Sequence, residues 1–336
     1  MKKYNVAVVG ATGVVGQEML KVLEERNFPV EKIIPLASIR TVGSRVEFRG
    51  KEVVVQELKA DSFQDVQIAL FSAGSAVSEE YAPIAAKAGA VVIDNTAFYR
   101  MDPQVPLVVP EINAQEVNNR PKGIIANPNC STAQMVVALK PIYDAVGIKR
   151  LVISTYQAVS GTGKEAIEEL QQEVLDILQF KEIKPQVYPH QIAFNILPHI
   201  DSFLDSGYSK EEMKMVNETQ KIFGDDSIKI TATTCRVPVF YCHSECVNIE
   251  TKQKITADEA RKLLSKAENI IVADDPQKNI YPMPVLAAGK NETFVGRIRE
   301  DISIDNGLEM FIVADNLRKG AAFNAVQIAE EVIKTL

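Results

Sequence analysis

The first part of the chain contains five short runs in which nearly every residue is hydrophobic. They cover residues 4–9, 33–37, 66–71, 91–93 and 124–126. Runs of this length without polar alternation are typical of strands that are buried on both faces of a sheet. Because parallel sheets are usually covered on both faces, the pattern predicts a parallel sheet in this region.

Helical spacing of apolar residues fills the gaps between these runs. Residues 14–25 place four apolar side chains on one helical face, and a second predicted helix over residues 79–88 is stopped by Gly89. Strands that alternate with helices through short connections indicate an α/β domain with helices on both faces of its sheet.

The second half of the chain has a different pattern. Strands are predicted, several with alternating faces, over residues 151–155, 229–235, 245–250 and 308–314. Long helices lie between them, one with an apolar stripe from Ile167 to Leu178 and one opened by the capping box Thr256-Ala-Asp-Glu259. A further apolar-striped helix covers residues 321–336. We expect a mixed sheet with helices on one face and the other face free to meet a partner subunit.

Composition narrows the class of protein. The chain has 336 residues, of which 46% are hydrophobic and 24% charged, as in globular proteins of one or two domains. Its net charge of −7 argues against nucleic acid as the main partner, because a nucleic-acid-binding face is normally basic. No stretch approaches the ~18 apolar residues of a membrane span, so we expect no membrane partner. The sequence shows no sign of secretion, so we expect its four cysteines to be free thiols in a reducing cytoplasm.

A glycine-rich segment, Gly10-Ala-Thr-Gly13-Val-Val-Gly16, follows the first predicted strand and opens the first predicted helix. Glycines allow a tight turn and close backbone approach, and a helix N-terminus attracts a pyrophosphate. This variant fingerprint predicts dinucleotide binding, the alternative being a strand–helix turn without a ligand. The expected contacts are Gly10, Thr12, Gly13, Val14 and Val15.

The segment after the second predicted strand indicates which dinucleotide is bound. Enzymes that use NAD usually place an acidic residue here for the ribose 2′-hydroxyl, but the sequence is Ala-Ser38-Ile-Arg40-Thr41. Arg40 suits a 2′-phosphate because its guanidinium can bind phosphate oxygens in pairs; the alternative is a solvated loop arginine. We therefore expect NADP rather than NAD, with Ser38, Arg40 and Thr41 as contacts.

Cys130 lies in Asn-Pro-Asn-Cys130-Ser-Thr-Ala, where a predicted strand gives way to a predicted helix. The positive end of a helix dipole favours the thiolate, which is the reactive form of cysteine. A lone cysteine is more often structural, but its place between a turn and a helix favours a catalytic nucleophile.

A nucleophilic thiol needs a group that transfers protons. Of the three histidines, His190 and His199 lie in proline-punctuated segments that indicate loops, whereas His243 lies on or beside a strand. In a regular strand Glu245 shares the face of His243, and the flanking cysteines take the other face, which argues against a zinc cluster. We interpret His243 as the proton-transfer group, with Glu245 placed to orient it, and expect no metal; the alternative is a core histidine.

Eight longer motifs resemble the aspartate-semialdehyde dehydrogenases nearly end to end. They are GATGVVG at 10–16, ASIRTVG at 37–43, NTAFYR at 95–100, NPNCST at 127–132, QAVSGTG at 157–163, EEMKMVNETQKI at 211–222, CRVPVFYCHSE at 235–245 and ADNLRKGAA at 314–322. The resemblance implies a Rossmann-type dinucleotide-binding domain plus an α+β catalytic and dimerisation domain on a mixed sheet, as in the glyceraldehyde-3-phosphate dehydrogenase-like fold.

The resemblance also implies a division of labour along the chain. Residues 1–130, completed by a C-terminal helix over 317–336, would bind NADP, and residues 131–316 would carry catalysis and dimerisation. A homodimer or homotetramer is implied. The implied reaction interconverts L-aspartyl 4-phosphate and L-aspartate 4-semialdehyde with NADPH and inorganic phosphate, on the routes to lysine through diaminopimelate and to methionine, threonine and isoleucine.

Within these motifs, single residues match the family's catalytic and substrate-binding residues. Cys130 would form a thioester, which accepts hydride better than a carboxylate does, and His243 would be the general acid/base. Gln157 matches the glutamine that orients the substrate. Arg236 matches the arginine that binds the substrate α-carboxylate, and Glu211 the ligand of its amino group.

Other motif positions match phosphate and cofactor contacts. The phosphate-binding positions are Arg100, Lys214 and Asn129, and the further cofactor contacts are Ser160, Gly161 and Asn316. From the sequence alone, Lys214 is better explained as an i, i+3 ion pair with Glu211.

The segment from Arg236 to His243 raises two expectations. The two positions differ by an odd number, so a regular strand would send their side chains to opposite faces, and we predict irregular backbone near Pro238. Cys242 stands where a small residue such as glycine is expected. Elsewhere, Phe98-Tyr99 stand where other members carry tryptophan, an aromatic replacement with little expected effect.

Two other functions fit parts of the pattern. N-acetyl-γ-glutamyl-phosphate reductases share the fold and the acyl-phosphate chemistry, but their cysteine lies in a Gly-Cys-Tyr turn rather than Asn-Cys-Ser. A nucleotide-binding regulator without turnover is the other alternative. The intact set of Cys130, Gln157, Arg236 and His243 argues against it.

Overall fold

The computed structural model describes residues 2–336. The strands are β1 (Tyr4–Val9), β2 (Val30–Ala37), β3 (Arg45–Phe48), β4 (Lys51–Val54), β5 (Gln56–Glu57), β6 (Ile68–Phe71), β7 (Val91–Asp94), β8 (Ile124–Ala126), β9 (Ile148–Gln157), β10 (Lys229–Arg236), β11 (His243–Thr251), β12 (Ile270–Val272), β13 (Thr293–Glu300) and β14 (Gly307–Ala314). The helices are α1 (Val14–Glu25), α2 (Ser75–Lys87), α3 (Pro110–Asn113), α4 (Cys130–Val146), α5 (Lys164–Leu178), α6 (Lys210–Phe223), α7 (Ala257–Leu264), α8 (Pro284–Ala287) and α9 (Phe323–Ile333).

The chain divides into two compact units, one of residues up to Asn129 together with Ala321–Leu336, and one of Cys130–Gly320. Within the described part of the chain, no helix is both long and apolar enough to cross a bilayer.

The first unit is a Rossmann-like α/β unit. Six strands form a parallel sheet in the order β5-β2-β1-β6-β7-β8, and β3 and β4 pair separately as an antiparallel hairpin. Apolar residues of β1, β2, β6 and β7 share one core with α1 and α9. From β1 the chain first adds β2 and β5 on one side of the sheet, and then returns to add β6, β7 and β8 on the other side. Such a reversal leaves a crevice at the carboxyl end of β1, where ligands of open α/β sheets bind.

The boundaries in the first unit follow the apolar pattern closely. The predicted strands at 4–9 and 124–126 and the predicted helix at 14–25 are confirmed to the residue. The second helix begins at Ser75, earlier than the predicted 79, because its first turn has Val77 as its only large apolar residue and so forms no apolar stripe.

The second unit is built on a mixed sheet, as expected. Its order is β10-β9-β11-β14-β13-β12, with β9 parallel to β10 and β11 antiparallel to both β9 and β14. Helix α4 packs against β11 and against α6 and α7. The predicted capping box opens α7, where Thr256 and Glu259 exchange side-chain-to-backbone hydrogen bonds. The side chains of β9, β11 and β14 that remain partly or largely exposed include Tyr156, Cys246, Asn248 and Phe311.

The predicted break between Arg236 and His243 is confirmed. Strand β10 ends at Arg236, β11 begins at His243, and the residues between them form no regular structure. Cys242 ends this break with a φ of +73°, in the left-handed region that favours glycine. That backbone explains why a glycine was the expected residue there.

Candidate active site

The glycine-rich loop connects β1 to α1, as predicted. A β carbon added to Gly16 would lie 2.2 Å from the carbonyl oxygen of Gly10, so a side chain at position 16 would force the loop apart. Gly13 is the N-cap of α1, with neither a side-chain cap nor an acidic residue in the first turn. The positive end of α1 therefore meets no competing negative side chain of its own, which suits an anion such as a pyrophosphate.

Two segments of the predicted cofactor site meet at the carboxyl ends of β1 and β2. The hydroxyl oxygens of Thr12 and Thr41 lie 3.4 Å apart. Ser38 and Arg40 are exposed in the turn after β2. Arg40 makes no hydrogen bond or ion pair with any residue between 2 and 336, so its charge is available to a ligand.

Cys130 is the first residue of α4 and is half-buried, which confirms its predicted place at a helix N-terminus. Gly320, within the π-helical turn Arg318–Ala322, lies against it. A β carbon added to Gly320 in that turn would lie 2.6 Å from Cβ of Cys130. The thiol is thus held between the positive end of α4 and a backbone turn that admits no side chain.

His243 begins β11 and is fully buried. Its Nδ1 accepts a hydrogen bond from the backbone N–H of Ala158 at 3.0 Å, so the neutral ring carries its proton on Nε2. No described residue bonds to Nε2. Burial, assisted by the positive charge of Arg236, holds the pKa of His243 well below its usual value. The ring is therefore neutral at neutral pH and presents an Nε2–H group.

The start of β11 is also tied to the helix that carries the thiol. Gln134, one helical turn beyond Cys130, donates from Nε2 to the backbone carbonyl of His243 at 3.2 Å. This bond connects the first turns of the two elements that hold the predicted nucleophile and the predicted acid/base.

The expectation that Glu245 orients His243 is wrong. Nδ1 of the imidazole is bonded to the Ala158 amide instead. Residues two apart on a strand are separated by about 6.6 Å, so the amide of a neighbouring segment is the closer partner. Glu245 is fully buried, and burial raises its pKa well above the usual value. The buried carboxyl group therefore favours its protonated form more strongly than an exposed glutamate does.

We expect Glu245→Gln to stabilise the protein increasingly as the pH rises. The pKa of Glu245 is higher in the folded than in the unfolded protein, so its stabilising effect is complete at low pH and is lost as the pH rises toward the folded value. The loss is at most about 1.4 kcal/mol per pH unit, and a glutamine does not titrate. Urea unfolding of both proteins between pH 5 and pH 8 measures this difference. Glu268→Gln, at an exposed position, is the control, and a pH-independent difference would contradict a raised pKa of Glu245.

Arg236 ends β10 and lies beside Gln157 in the register of β9 and β10. Its Nη1 donates to the carbonyl oxygen of Ala158 at 2.8 Å, and its backbone pairs with Leu197. Its Nε is buried, and no acceptor for it exists among residues 2–336. A buried donor without an acceptor is costly, and a carboxylate on the Nε edge would supply two oxygens to this side of the guanidinium.

Gly161 shows that Arg236 and His243 are neighbours. A β carbon added to Gly161 would lie 3.0 Å from Nη1 of Arg236 and 3.1 Å from Nε2 of His243. The absence of a side chain at position 161 therefore leaves space beside both groups. A small ligand that reached this space would meet a cation and an imidazole N–H together.

Gln157, Glu211 and Lys214 form a chain of polar contacts. Nε2 of Gln157 donates to Oε1 of Glu211 at 3.2 Å, and Nζ of Lys214 lies 3.0 Å from Oε2 of Glu211 and 2.9 Å from Oδ2 of Asp201. Burial lowers the pKa of Lys214, but the two carboxylates outweigh burial and raise it overall. The i, i+3 ion pair anticipated from the sequence is thus present, and Lys214 is fully charged.

Two predicted cofactor contacts bond to each other. The hydroxyl of Ser160 donates to Oδ1 of Asn316 at 3.1 Å, and the same oxygen accepts the backbone N–H of Cys242 at 3.0 Å. Asn316 therefore holds both the turn that contains Gly161 and the left-handed backbone of Cys242 in place.

Arg100 and Asn129 belong to the first unit. The Arg100 guanidinium is buried and donates to the backbone carbonyls of Asn127 at 2.9 Å and Asn95 at 2.7 Å. Asn129, also buried, directly precedes Cys130. The Arg100 side chain is therefore held by the backbone of the NPNCST motif, which also contains Asn129.

The second unit contains all the predicted catalytic and substrate-binding residues, together with one phosphate-binding residue and three cofactor contacts. It contains Cys130, Gln157, Ser160, Gly161, Glu211, Lys214, Arg236, His243 and Asn316. The glycine-rich loop, the Ser38–Arg40–Thr41 turn, Arg100 and Asn129 lie in the first unit. Within the described chain, no group of three or more His, Cys, Asp or Glu side chains is suited to a metal ion.

Three residues that organise this site were not among those expected from the sequence. Ala158 holds His243 through its N–H and Arg236 through its C=O. Gln134 ties α4 to β11, and Gly320 packs on the thiol. The only available signal was their place inside the matching motifs or one turn beyond them, because backbone donors leave no mark on side-chain patterns.

Comparison with known families covers both units. The NAD-binding domain of the semialdehyde dehydrogenases matches residues 5–120, and the dimerisation domain of the same group matches residues 139–319. An aspartate-semialdehyde dehydrogenase of Aquifex aeolicus is 58% identical over 98% of this chain and 98% of its own. One from Bacillus subtilis is 51% identical over 98% and 97%, respectively.

Solved structures agree with these matches. The aspartate semialdehyde dehydrogenase II of Vibrio cholerae, solved in complex with ASA, has a TM-score of 0.97, 50% identity and 99% coverage of both chains. The enzyme of Candida albicans, solved with NADP, has a TM-score of 0.77, 26% identity and 98% coverage of both chains.

Proposed function

This chain belongs to the aspartate-semialdehyde dehydrogenase family, and we propose that it converts L-aspartyl 4-phosphate and NADPH to L-aspartate 4-semialdehyde, NADP and inorganic phosphate, and the reverse. The observation that carries the proposal is the open Nε edge of Arg236 beside the unpartnered Nε2 of His243. A substrate with a carboxylate and a reacting carbonyl satisfies both groups. This reaction lies on the routes to lysine through diaminopimelate and to methionine, threonine and isoleucine.

The residues around the glycine-rich loop fit a dinucleotide. The close approach of Gly16 to Gly10 leaves no room for a side chain, and α1 offers an uncapped N-terminus to a pyrophosphate. Gly10, Thr12, Gly13, Val14 and Val15 would line it, with Ser38, Thr41, Ser160, Gly161 and Asn316 as further contacts. Bound NADPH supplies a hydride. The solvent-exposed Arg40, without a partner in the described chain, supports NADP, the cofactor in the Candida albicans structure.

Replacing Arg40 by Asp should weaken NADP binding by about a hundredfold while changing NAD binding little. Arginine pairs with a 2′-phosphate, and an aspartate repels it but accepts a bond from a ribose hydroxyl. Titration of both cofactors onto the two proteins measures the ratio. The exposed Arg150→Lys variant, on β9, is the control. An unchanged ratio would show that Arg40 does not bind the 2′-phosphate.

Cys130 and His243 divide the covalent chemistry between them. The Cys130 thiolate attacks the acyl phosphate, the C–O bond to phosphate breaks, and a thioester remains. The Nε2–H of His243 donates to the carbonyl oxygen as negative charge develops there. After reduction the C–S bond breaks, the aldehyde leaves and the thiolate is restored. In the reverse direction the Cys130 thiolate adds to the aldehyde carbon, and the Nε2–H of His243 again stabilises the oxyanion of the resulting thiohemiacetal.

Substrate and phosphate contacts complete the proposal. Arg236 binds the α-carboxylate, Gln157 orients the acyl group, and Glu211 binds the amino group. Arg100, Lys214 and Asn129 bind phosphate. Because Lys214 already pairs with two carboxylates, its part depends on phosphate competing with Asp201 and Glu211.

The two units would divide these tasks. We assign NADP binding to residues 1–129 with the C-terminal segment 321–336, and catalysis and dimerisation to Cys130–Gly320, bounds that lie within four residues of those expected from the sequence. The partly exposed sheet face with Tyr156, Cys246 and Phe311 would form the contact in a homodimer or homotetramer. This assignment is supported by the match of residues 139–319 to a dimerisation domain.

Formation of NADPH from L-aspartate 4-semialdehyde and NADP tests the activity directly. We expect turnover only when phosphate or an analogue such as arsenate is present. N-acetylglutamate semialdehyde, the substrate of the related reductases, should be oxidised at least about a hundredfold less efficiently, because Glu211 would bind an amino group and not an amide. Cofactor binding without turnover of either aldehyde would support a non-catalytic regulator instead.

A further inference from the structure

The connection between α5 and α6 brings an aromatic ring to the substrate arginine. The ring centroid of Tyr188 lies 6.0 Å from Cζ of Arg236, within the range of a cation–π contact. The Tyr188 hydroxyl donates to Oγ1 of Thr162 at 2.9 Å, in the turn that also contains Gly161. Tyr188 thus contacts Arg236 on one side and the turn beside His243 on the other.

Two buried carboxylates of α5 hold this connection in place. The carboxylate of Glu169 accepts backbone N–H groups of residues 186–188, at 2.6 Å for Gln186 and 3.1 Å for Tyr188. The carboxylate of Glu173, one turn further, accepts those of Ile192 at 2.9 Å and Ala193 at 2.8 Å. We call these two side chains the carboxylate clamp. Hydrogen bonds to a charged acceptor are stronger than neutral ones, so the clamp fixes the backbone on both sides of Tyr188.

The Arg236 guanidinium has few other contacts that fix its orientation. Its side chain makes one hydrogen bond within the described chain, from Nη1 to the carbonyl of Ala158. A guanidinium held at one nitrogen can still rotate about that bond. A ring against it limits this rotation and favours approach of a carboxylate along the Nε edge.

We propose that Tyr188 is a positioning residue that holds the Arg236 guanidinium with its Nε edge toward the substrate α-carboxylate, with the ring kept in place by the carboxylate clamp. The proposal rests on the proposed function, since it presupposes that Arg236 binds a substrate carboxylate. It predicts that the ring of Tyr188 matters for substrate binding and that its hydroxyl matters little.

Steady-state kinetics of Tyr188→Ala and Tyr188→Phe test this. We expect Tyr188→Ala to raise the KM for L-aspartate 4-semialdehyde about tenfold, with kcat and the KM for NADP within about twofold of the unchanged protein. Tyr188→Phe, which keeps the ring, should restore a near-normal KM. Phe194→Ala removes an exposed aromatic ring from the same connection and is the matched control.

An aldehyde without the α-carboxylate separates positioning from general damage to the site. With 3-aminopropanal, kcat/KM should be nearly the same for the unchanged protein and Tyr188→Ala, because Arg236 then has no carboxylate to bind. An equal loss on both aldehydes, or a Tyr188→Phe variant as impaired as Tyr188→Ala, would overturn the proposal.

Two further results keep the test conclusive. If Tyr188→Ala fails to fold, Glu169→Gln offers a second route, since loosening the clamp should raise the same KM while NADP binding stays normal. Failure of the proposed function would appear differently, because the unchanged protein itself would not oxidise L-aspartate 4-semialdehyde.

Discussion

Replacing Cys130 by Ser should remove nearly all turnover, lowering kcat by at least about a thousandfold, while NADP binds as before. Serine matches cysteine in shape, so the contact with Gly320 and the start of α4 are kept. A hydroxyl, however, does not ionise at neutral pH, and the positive end of α4 cannot make it do so. No thioester can then form, and the aldehyde has no covalent route to the acyl phosphate.

Rapid-mixing assays on the purified Cys130→Ser protein measure its turnover, and titration with NADP measures its cofactor affinity. Cys235→Ser is the matched control, because Cys235 is also half-buried but lies on β10, and burial raises the pKa of its thiol. The control should keep near-normal turnover. Substantial activity in the Cys130 variant would remove Cys130 from the mechanism.

Replacing Arg236 by Lys should lower kcat/KM for L-aspartate 4-semialdehyde by about a hundredfold despite the conserved charge. The lysine loses the Nε edge, and it has a single ammonium to serve both Ala158 and a substrate carboxylate. The loss should appear mainly in the KM for the semialdehyde and not in the KM for NADP.

Steady-state kinetics with each substrate varied in turn give this division. Arg150→Lys, at an exposed position on β9, makes the same chemical change away from the site and should leave both constants alone. A KM for the semialdehyde near that of the unchanged protein would place the carboxylate site elsewhere.

Most of the fold could be predicted from the sequence, because buried positions recur with the spacing of a strand or a helix. Continuous apolar runs predicted β1 and β8 to the residue, and helical spacing predicted α1. The place of Cys130 at the start of α4 and the break after Arg236 also followed from local patterns. Each of these features is decided within a few residues of chain, where turn chemistry and periodicity act.

The parts that could not be predicted depend on contacts between distant segments. Whether His243 bonds to Glu245 or to the amide of Ala158 depends on how β9 lies beside β11, and side-chain patterns do not record backbone donors. Tyr188 lies in a connection without periodicity, so its approach to Arg236 had no signal in the sequence.

The pairing of β10 with β9 restricts where this protein can tolerate insertions and deletions. Arg236 lies opposite Gln157 in that register, and both end their strands there. One residue inserted into β10 would turn Arg236 to the other face of the sheet, whereas one added to the loop between α5 and the carboxylate-clamped backbone would leave the register intact. Across distant relatives, gaps should therefore gather in that loop and avoid β9 and β10, even where the residues within those strands differ.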